Sequence, residues 1–263
     1  MPHDDLDPAA ISARLALEKE ALEVEVLDTC TSTNSLLLER APAPHALLLV
    51  AHEQTEGRGR RGRRWRTERG AALTFSMRWR FSAGARALQG LSLAAGVAIA
   101  RTLRAQGARE VGLKWPNDLL VRDAKLGGIL IETRPAGDAI AAVIGIGLNY
   151  RGVPGLEARL RRRIAALEEV LQPLPRRDDL VARLAAGLAR AMRAFEAGGL
   201  AGFSAEWESL HALRGRRLRV STALGQVISG YADGLAPDGG LQVRTRTGVR
   251  TVRDGSVALE RNA

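Results

Sequence analysis

Apolar positions change their spacing several times along the chain, and the changes mark out elements. Residues 11–22 carry helical spacing, and 24–27 reads as a strand. Thr29-Cys30-Thr31-Ser32-Thr33-Asn34 is a hydroxyl-rich turn before a helix at 35–40, with Ser32 or Thr33 available as its N-cap. A second strand covers 46–51. At 73–81 the pattern alternates, with Leu73, Phe75, Met77, Trp79 and Phe81 on one face, which predicts a half-buried strand. An alanine-rich helix spans 88–106, and Gly107 is placed to stop it. Strands follow at 112–114, 119–121, 128–132 and 141–149, with turns at 122–124 and 135–138. Links this short force antiparallel neighbours. The prediction is an α+β layer: a mixed, largely antiparallel sheet with helices on one side.

From 156 to about 209 the pattern is helical, and Asp178 or Asp179 can cap a helix reaching Glu196. From 216 the period becomes two. Short strands at 216–221, 226–232, 240–246, 249–253 and 256–260, separated by Gly, Asp and Pro, predict a small five-stranded barrel. The expected division is a larger domain over 1–213 and a smaller one over 214–263.

Composition narrows the class. A chain of 263 residues that is 46% hydrophobic can bury a substantial core. Its 39 basic and 29 acidic residues leave a net charge of +10. That surplus suggests an anionic partner without choosing between nucleic acid, nucleotide and acidic protein. The single cysteine, Cys30, excludes an internal disulfide and fits a reducing compartment. The four histidines are scattered, and no metal-ligand spacing occurs. The N-terminal stretch carries aspartates and no apolar run, unlike a signal peptide. The longest apolar stretch, 91–100, is too short for a bilayer, which takes about 20 residues. A soluble cytoplasmic protein is expected. Only three basic residues are lysines, Lys19, Lys114 and Lys125, so arginine has replaced lysine almost everywhere.

The chemistry concentrates in four segments. Residues 57–65 read Gly-Arg-Gly-Arg-Arg-Gly-Arg-Arg-Trp, which sets five guanidinium groups on a backbone with three glycines. Like charges this dense repel, so the segment is expected to stay mobile until it meets an anion. Arginine forks match carboxylate and phosphate oxygens. Taken alone, the run supports a loop closing over an anionic ligand and a basic loop touching nucleic acid about equally. The second segment is Ser32-Thr33-Asn34 at the end of the first strand, and Gln54 precedes the arginine run. The third is Lys114-Trp115-Pro116-Asn117-Asp118, where Pro116 makes the chain turn. The fourth is Lys125-Leu126-Gly127-Gly128, with Gly145-Ile146-Gly147 on the adjoining strand. Glycine inside a strand marks close approach to the backbone. A ligand over Gly127 and Gly128, its anionic end at Lys125, accounts for both. The competing reading is a flat sheet position under a helix.

In order and spacing, Ser32-Thr33-Asn34, Gln54-x-x-Gly57-Arg-Gly-Arg-Arg-Gly-Arg-x-Trp65, Lys114-Trp-Pro-Asn-Asp118, Lys125-Leu-Gly-Gly-Ile-Leu-Ile-Glu132 and Gly145-Ile-Gly-Leu-Asn149 resemble the biotin protein ligases, the biotin–[acetyl-CoA-carboxylase] ligases. The resemblance covers about 24–150 and continues more weakly through 215–260. It implies a class II synthetase-like catalytic domain and an SH3-like C-terminal domain. About 23 residues precede the first strand, too few for the helix-turn-helix of the bifunctional members, so the monofunctional class without specific DNA binding is expected.

The implied activity joins biotin and ATP into biotinyl-5′-AMP, then passes the biotinyl group to a lysine of a biotin carboxyl carrier domain. Mg²⁺ is implied as the companion of ATP, bound chiefly through phosphates, with Asp118 as a candidate contact. By the resemblance, Ser32, Thr33, Asn34 and Gln54 hold the ureido end of biotin, and Gly57 and Arg58 cover its ring and tail. Gly127 and Gly128 let it lie against the sheet. Lys125, Arg58 and Arg60 carry the catalytic charge. Arg60, Arg63, Trp65, Asn117, Asp118, Lys125 and Asn149 line the ATP and adenylate side. Lys114 reads as structural and Trp115 as partly core. Family members often pair as homodimers through a sheet edge. The rivals are a lipoate ligase, which shares the fold and the lysine but lacks this arginine loop, and a basic nucleic-acid-binding protein.

Overall fold

The computed structural model describes residues 6–40, 46–66, 68–82 and 88–260. The first residues of the N-terminal stretch, and His45, lie outside them. The larger sheet is built from β1 (Glu23–Cys30), β2 (Leu47–Gln54), β3 (Ala72–Phe81), β4 (Val111–Lys114), β5 (Asp118–Val121), β6 (Ala124–Ala136) and β7 (Ala139–Asn149), in the order β1-β2-β3-β7-β6-β5-β4. Only β1 and β2 are parallel. A parallel pair needs a crossover, and α2 (Thr33–Glu39) supplies it.

Both faces of the centre of this sheet are covered. Leu48, Val50, Phe75, Met77, Ile144 and Ile146 belong to the main core. Their neighbours Leu47, Leu49 and Val143 pack with Leu37 of α2 in a smaller cluster. This corrects two expectations: helices lie on both sides, and β3 is buried through Arg78 rather than half-buried. The main face carries α1 (Pro8–Leu17), α3 (Leu91–Ala105), α5 (Arg177–Gly198) and α6 (Ala201–Leu210), with α3 against α5 and α6 and α1 against α5.

Boundaries shift for local reasons. Asp7 caps α1 by accepting from the Ala9 N–H at 2.9 Å, and Lys19, at φ 59°, lies beyond its end, so the helix does not reach residue 22. Gly90, at φ 81°, starts α3 later than predicted. β6 runs to Ala136, which shrinks the predicted turn to 137–138. The helical region is interrupted: a short α4 (Leu156–Leu160) is followed by chain to 176 whose one helical piece is a 3-10 turn at Leu167–Glu169. Neither aspartate caps α5. Arg176 holds that position, and Asp178 receives the Arg176 guanidinium and the Asp179 N–H instead.

The C-terminal strands are β8 (Arg217–Thr222), β9 (Val227–Leu235), β10 (Leu241–Thr245), β11 (Gly248–Val252) and β12 (Gly255–Leu259), ordered β11-β10-β9-β8-β12. They form an open antiparallel sheet and not the closed barrel expected, because β12 pairs with β8 and not with β11. The link between β11 and β12 turns instead toward the larger sheet, where Asp254 meets two arginines of the 57–65 segment. Apolar residues of this sheet, including Leu218, Val220, Leu241 and Val257, join the main core. Trp115 is buried at the junction and donates from Nε1 to the Gly239 carbonyl at 3.0 Å.

Candidate active site

Strand registry carves a trench into the larger sheet. Ser76 of β3 lies opposite Gly145 of β7, which lies opposite Leu130 of β6. The next row runs Thr74, Gly147, Gly128 and Asp118 across β3, β7, β6 and β5. Three glycines in these two rows leave the sheet surface low. A Cβ on Gly145 would collide with the Asn34 side chain, and one on Gly147 would lie 2.5 Å from the Trp65 indole. These strand glycines are therefore seats for side chains delivered by α2 and by the arginine segment.

The inner end of the trench is polar and uncharged. Ser32 caps α2, its side chain accepting from the Ser35 N–H. The Thr33 N–H donates to Gln54 Oε1 at 2.8 Å, and the Thr33 hydroxyl lies 3.1 Å from the same oxygen and 2.6 Å from Ser76 Oγ. Ser76 donates to Asn34 Oδ1 at 2.6 Å, and Asn34 Nδ2 donates to the Leu130 carbonyl and to Glu132. All five side chains from Ser32 through Asn34, Gln54 and Ser76 are buried. Such a network fixes its own geometry. Asn34 spends both its donor and acceptor groups on it, which makes it scaffold for the trench.

The arginine segment is folded over the trench as a short hairpin. Gly59 N donates to the Arg63 carbonyl at 2.7 Å and Trp65 N to the Gly57 carbonyl at 2.8 Å, with Arg58 and Arg64 paired as an isolated antiparallel bridge. Arg61 and Gly62 turn it, at φ 59° and 69°. The expectation that it stays unordered without an anion meets a physical answer in the chain itself: its own carboxylates serve. Arg58 binds Ser35 and Glu132, while Arg60 and Arg61 reach the two oxygens of Asp254 at 2.8 and 3.1 Å.

The outer end of the trench is cationic. Lys125 binds Asp118 Oδ1, and Lys114 binds Oδ2 at 3.0 Å. Burial alone would raise the Asp118 carboxyl, but Lys125 and then Lys114 outweigh it and hold the group below the usual carboxylate range. For Lys125, burial is the larger influence and lowers the ammonium from its ordinary value, with Asp118 opposing. Backbone fixes the lysine on both sides. Lys125 N donates to the Arg163 carbonyl, and its own carbonyl accepts from Ala165 N, each at 3.0 Å. Asn149 Nδ2 ties the same two strips together, donating to the carbonyls of Lys125 and Ala165 at 3.0 and 2.9 Å.

One cleft thus gathers Ser32, Thr33, Asn34, Gln54, Arg58, Arg60, Arg63, Trp65, Asn117, Asp118, Lys125 and Gly128. Three of the residues named from sequence do not line it. Gly57 lies beneath the Trp65 carbonyl, which a Cβ would strike. Gly127 faces Leu148 and the Gly147 carbonyl, and Asn149 braces Lys125 from behind. Asn117 lines the cleft while its Nδ2 donates to the Ile129 carbonyl at 2.7 Å. Lys114 and Trp115, read as structural and partly core, both border the cleft. Sequence reasoning missed Ser76, which sits mid-strand without a motif, and Arg162, which was lost among the arginines of 159–163. It also missed Gly255, Ser256 and Val257 of β12, which close one wall.

The donor set does not suit a resident metal. Both Asp118 oxygens face ammonium groups, and no cluster of three His, Cys, Asp or Glu side chains exists among the described residues. No helix among them is long and apolar enough to cross a membrane.

Residues 26–149 match the Biotin/lipoate A/B protein ligase family. The chain is 37% identical over 238 residues to the bifunctional ligase/repressor BirA of Escherichia coli, covering 90% of this chain and 74% of that protein. It is 39% identical over 139 residues to the biotin–[acetyl-CoA-carboxylase] ligase of Mycobacterium tuberculosis, covering about half of each. Its structure aligns with that of the biotin protein ligase from Aquifex aeolicus in complex with biotin and ATP, at a TM-score of 0.77 and 25% identity, over 91% of this chain and 99% of the other. The chain belongs to the biotin protein ligase family.

Proposed function

We propose that the protein is a biotin–[acetyl-CoA-carboxylase] ligase, which activates biotin with ATP as biotinyl-5′-AMP and transfers the biotinyl group to a lysine of a biotin carboxyl carrier domain. The observation that carries this reading is the polarity of the trench. Its inner end offers neutral hydrogen-bonding groups from Thr33 and Gln54, and its outer end offers the Lys125 ammonium. Biotin has that same order of groups, a neutral ureido ring and an anionic carboxylate. A lipoyl dithiolane has no amide donor or acceptor with which to join this hydrogen-bonded network, so a polar inner end favours the ureido ring.

Biotin lies over Gly128 with its ureido ring toward Ser32, Thr33 and Gln54. Asn34 and Ser76 hold that end in shape, and Lys125 steers the carboxylate toward the α-phosphorus. In the first step a biotin carboxylate oxygen bonds to the α-phosphorus and pyrophosphate leaves. Arg58, Arg60, Arg63 and Lys125 screen the repulsion between the two anions and the charge that develops on the phosphates. Trp65, seated on Gly147, offers its ring to adenine, and its buried Nε1 has no hydrogen-bond partner among the described residues. Mg²⁺ arrives with the nucleotide, bound to its phosphates. Asn149 and Gly127 act through the positions of Lys125 and β7. The product is a mixed anhydride that water destroys, and the hairpin above the trench excludes water from it. In the second step the acceptor lysine amine attacks the acyl carbon and AMP leaves.

A cytoplasmic location fits Cys30, which is buried and free. The test of the activity is exchange of labelled pyrophosphate into ATP. Exchange that depends on biotin supports the reading, and exchange that depends on lipoate and not on biotin replaces it with lipoate ligation.

A further inference from the structure

Arg162 is the cleft residue that the motifs leave without a task. It follows α4 in the irregular chain and borders the cleft beside Asp118, Lys125 and Arg63. Its guanidinium has no hydrogen bond or ion pair with any described residue, whereas Arg58, Arg60 and Arg61 are all satisfied by carboxylates. Its backbone is held in place independently of its side chain. Arg162 N donates to the Glu157 carbonyl, and Glu157 Oε1 receives the Ile164 N–H at 2.6 Å. The following residues are bound to both sides of Lys125.

The local charge does not balance. Asp118 is the one carboxylate that bears on this guanidinium, and it is already shared between Lys114 and Lys125. Partial burial lowers the affinity of Arg162 for its proton, Asp118 counteracts this, and the like charge of Arg63 adds to the lowering. Two guanidinium groups from separate segments border one cleft, and the one carboxylate among the described residues that acts on Arg162 is already bound by two lysines, which leaves a seat for an external anion.

We infer that Arg162 and Arg63 together grip the terminal phosphates of ATP, the part that leaves as pyrophosphate, with Arg162 as a nucleotide-positioning residue. This rests on the ATP-dependent reading above and assigns it a residue outside the motifs. Lys125 sits deeper, between Asp118 and Gly128, where the carboxylate and the α-phosphate meet. Arg162 stands at the rim, where the rest of the phosphate chain must run. Its grip orients the leaving group in line with the attack.

Calorimetric titration of the full chain with Mg·ATP and with AMP tests this without requiring turnover. For Arg162→Ala we expect Mg·ATP to bind about tenfold more weakly, the loss of one charge-assisted contact. AMP, which lacks the outer phosphates, should bind within about twofold of the wild type. Arg162→Lys should recover part of the loss, since charge is kept but the fork is not. Arg162→Gln, of similar reach, guards against a folding defect, and its melting temperature should match the wild type. Unchanged Mg·ATP binding, or equal weakening of Mg·ATP and AMP, overturns the assignment. Failure of the ligase reading itself would show separately, as wild-type chain without biotin-dependent exchange, while the titrations still decide Arg162.

Discussion

Arg60 donates to Asp254 at 2.8 Å, joining the hairpin over the trench to the link between the last two strands of the chain. Arg61 takes the other carboxylate oxygen at 3.1 Å. The C-terminal sheet thus fastens the cover of the cleft, and the Asp254 carboxylate occupies the guanidinium of Arg60, which the proposed function gives to the nucleotide. Both arginines and Asp254 are part-exposed, so each pair contributes at most about 1 kcal/mol.

The first prediction is that Asp254→Ala loosens the hairpin in the unliganded protein. Trypsin should cut within 57–65 roughly five times faster, the factor that about 1 kcal/mol gives. Biotin with ATP should restore protection, because ligand phosphates replace the missing carboxylate. Unaltered cleavage would show that backbone pairing alone holds the cover.

Much of this arrangement was legible in the chain, and the illegible part has physical reasons. The trench residues on β5, β6 and β7 stood out because Lys125, Asp118 and the glycines break ordinary strand chemistry. The pairing Asp254–Arg60 spans 194 positions, and no local pattern announces a contact at that separation. Ser76 looks like any polar strand residue until β3 is set beside β7. The C-terminal strands are legible from their alternation, but closure of the barrel is not, because alternation fixes which face is buried and not which edge strands meet. The two-sided burial of β2 was likewise hidden, since an apolar run does not say what covers each face.

A second prediction separates the two ends of the trench by two variants on one strand. Gly145→Ala drives a methyl into Asn34 and should weaken biotin more than ATP. Gly147→Ala unseats Trp65 and should weaken ATP more than biotin. Each is expected to lose about tenfold for its own ligand, read by titration. The same order of loss in both variants would mean that the trench is not divided in this way.

Lys125→Ala should lower the rate of adenylate formation by roughly 10²–10³, the scale of removing one preorganised charge at a developing anion. Lys125→Arg should restore less than about a tenth of it, since a fork does not replace a point charge packed against Gly128 and Asp118. Single-turnover formation of the intermediate measures both. Full activity in the arginine variant would make the position a matter of charge alone.

A fourth prediction concerns stability. His211 is buried where α6 leads into the C-terminal sheet, its ring 4.5 Å from that of Trp207. Burial, aided by Arg214, lowers its pKa to about 4. The folded form therefore keeps His211 neutral where the unfolded chain takes up a proton. Stability is full above about pH 6.5 and falls as pH drops toward about 4. At pH 5 this residue should cost about 2 kcal/mol relative to pH 7. Urea unfolding at the two pH values, compared with His211→Phe, should show that difference shrinking in the variant. An equal pH dependence in both proteins would assign it elsewhere.

The decisive measurement is mass spectrometry of the small molecules that remain bound after the full chain is incubated with biotin, lipoate, ATP and Mg²⁺ and passed through a desalting column. Biotinyl-5′-AMP, retained in stoichiometric amount and lost when a carrier domain is added, is the expected result. Retention of lipoyl-AMP instead, or of unreacted biotin and ATP alone, would mean that this trench does not perform the chemistry assigned to it.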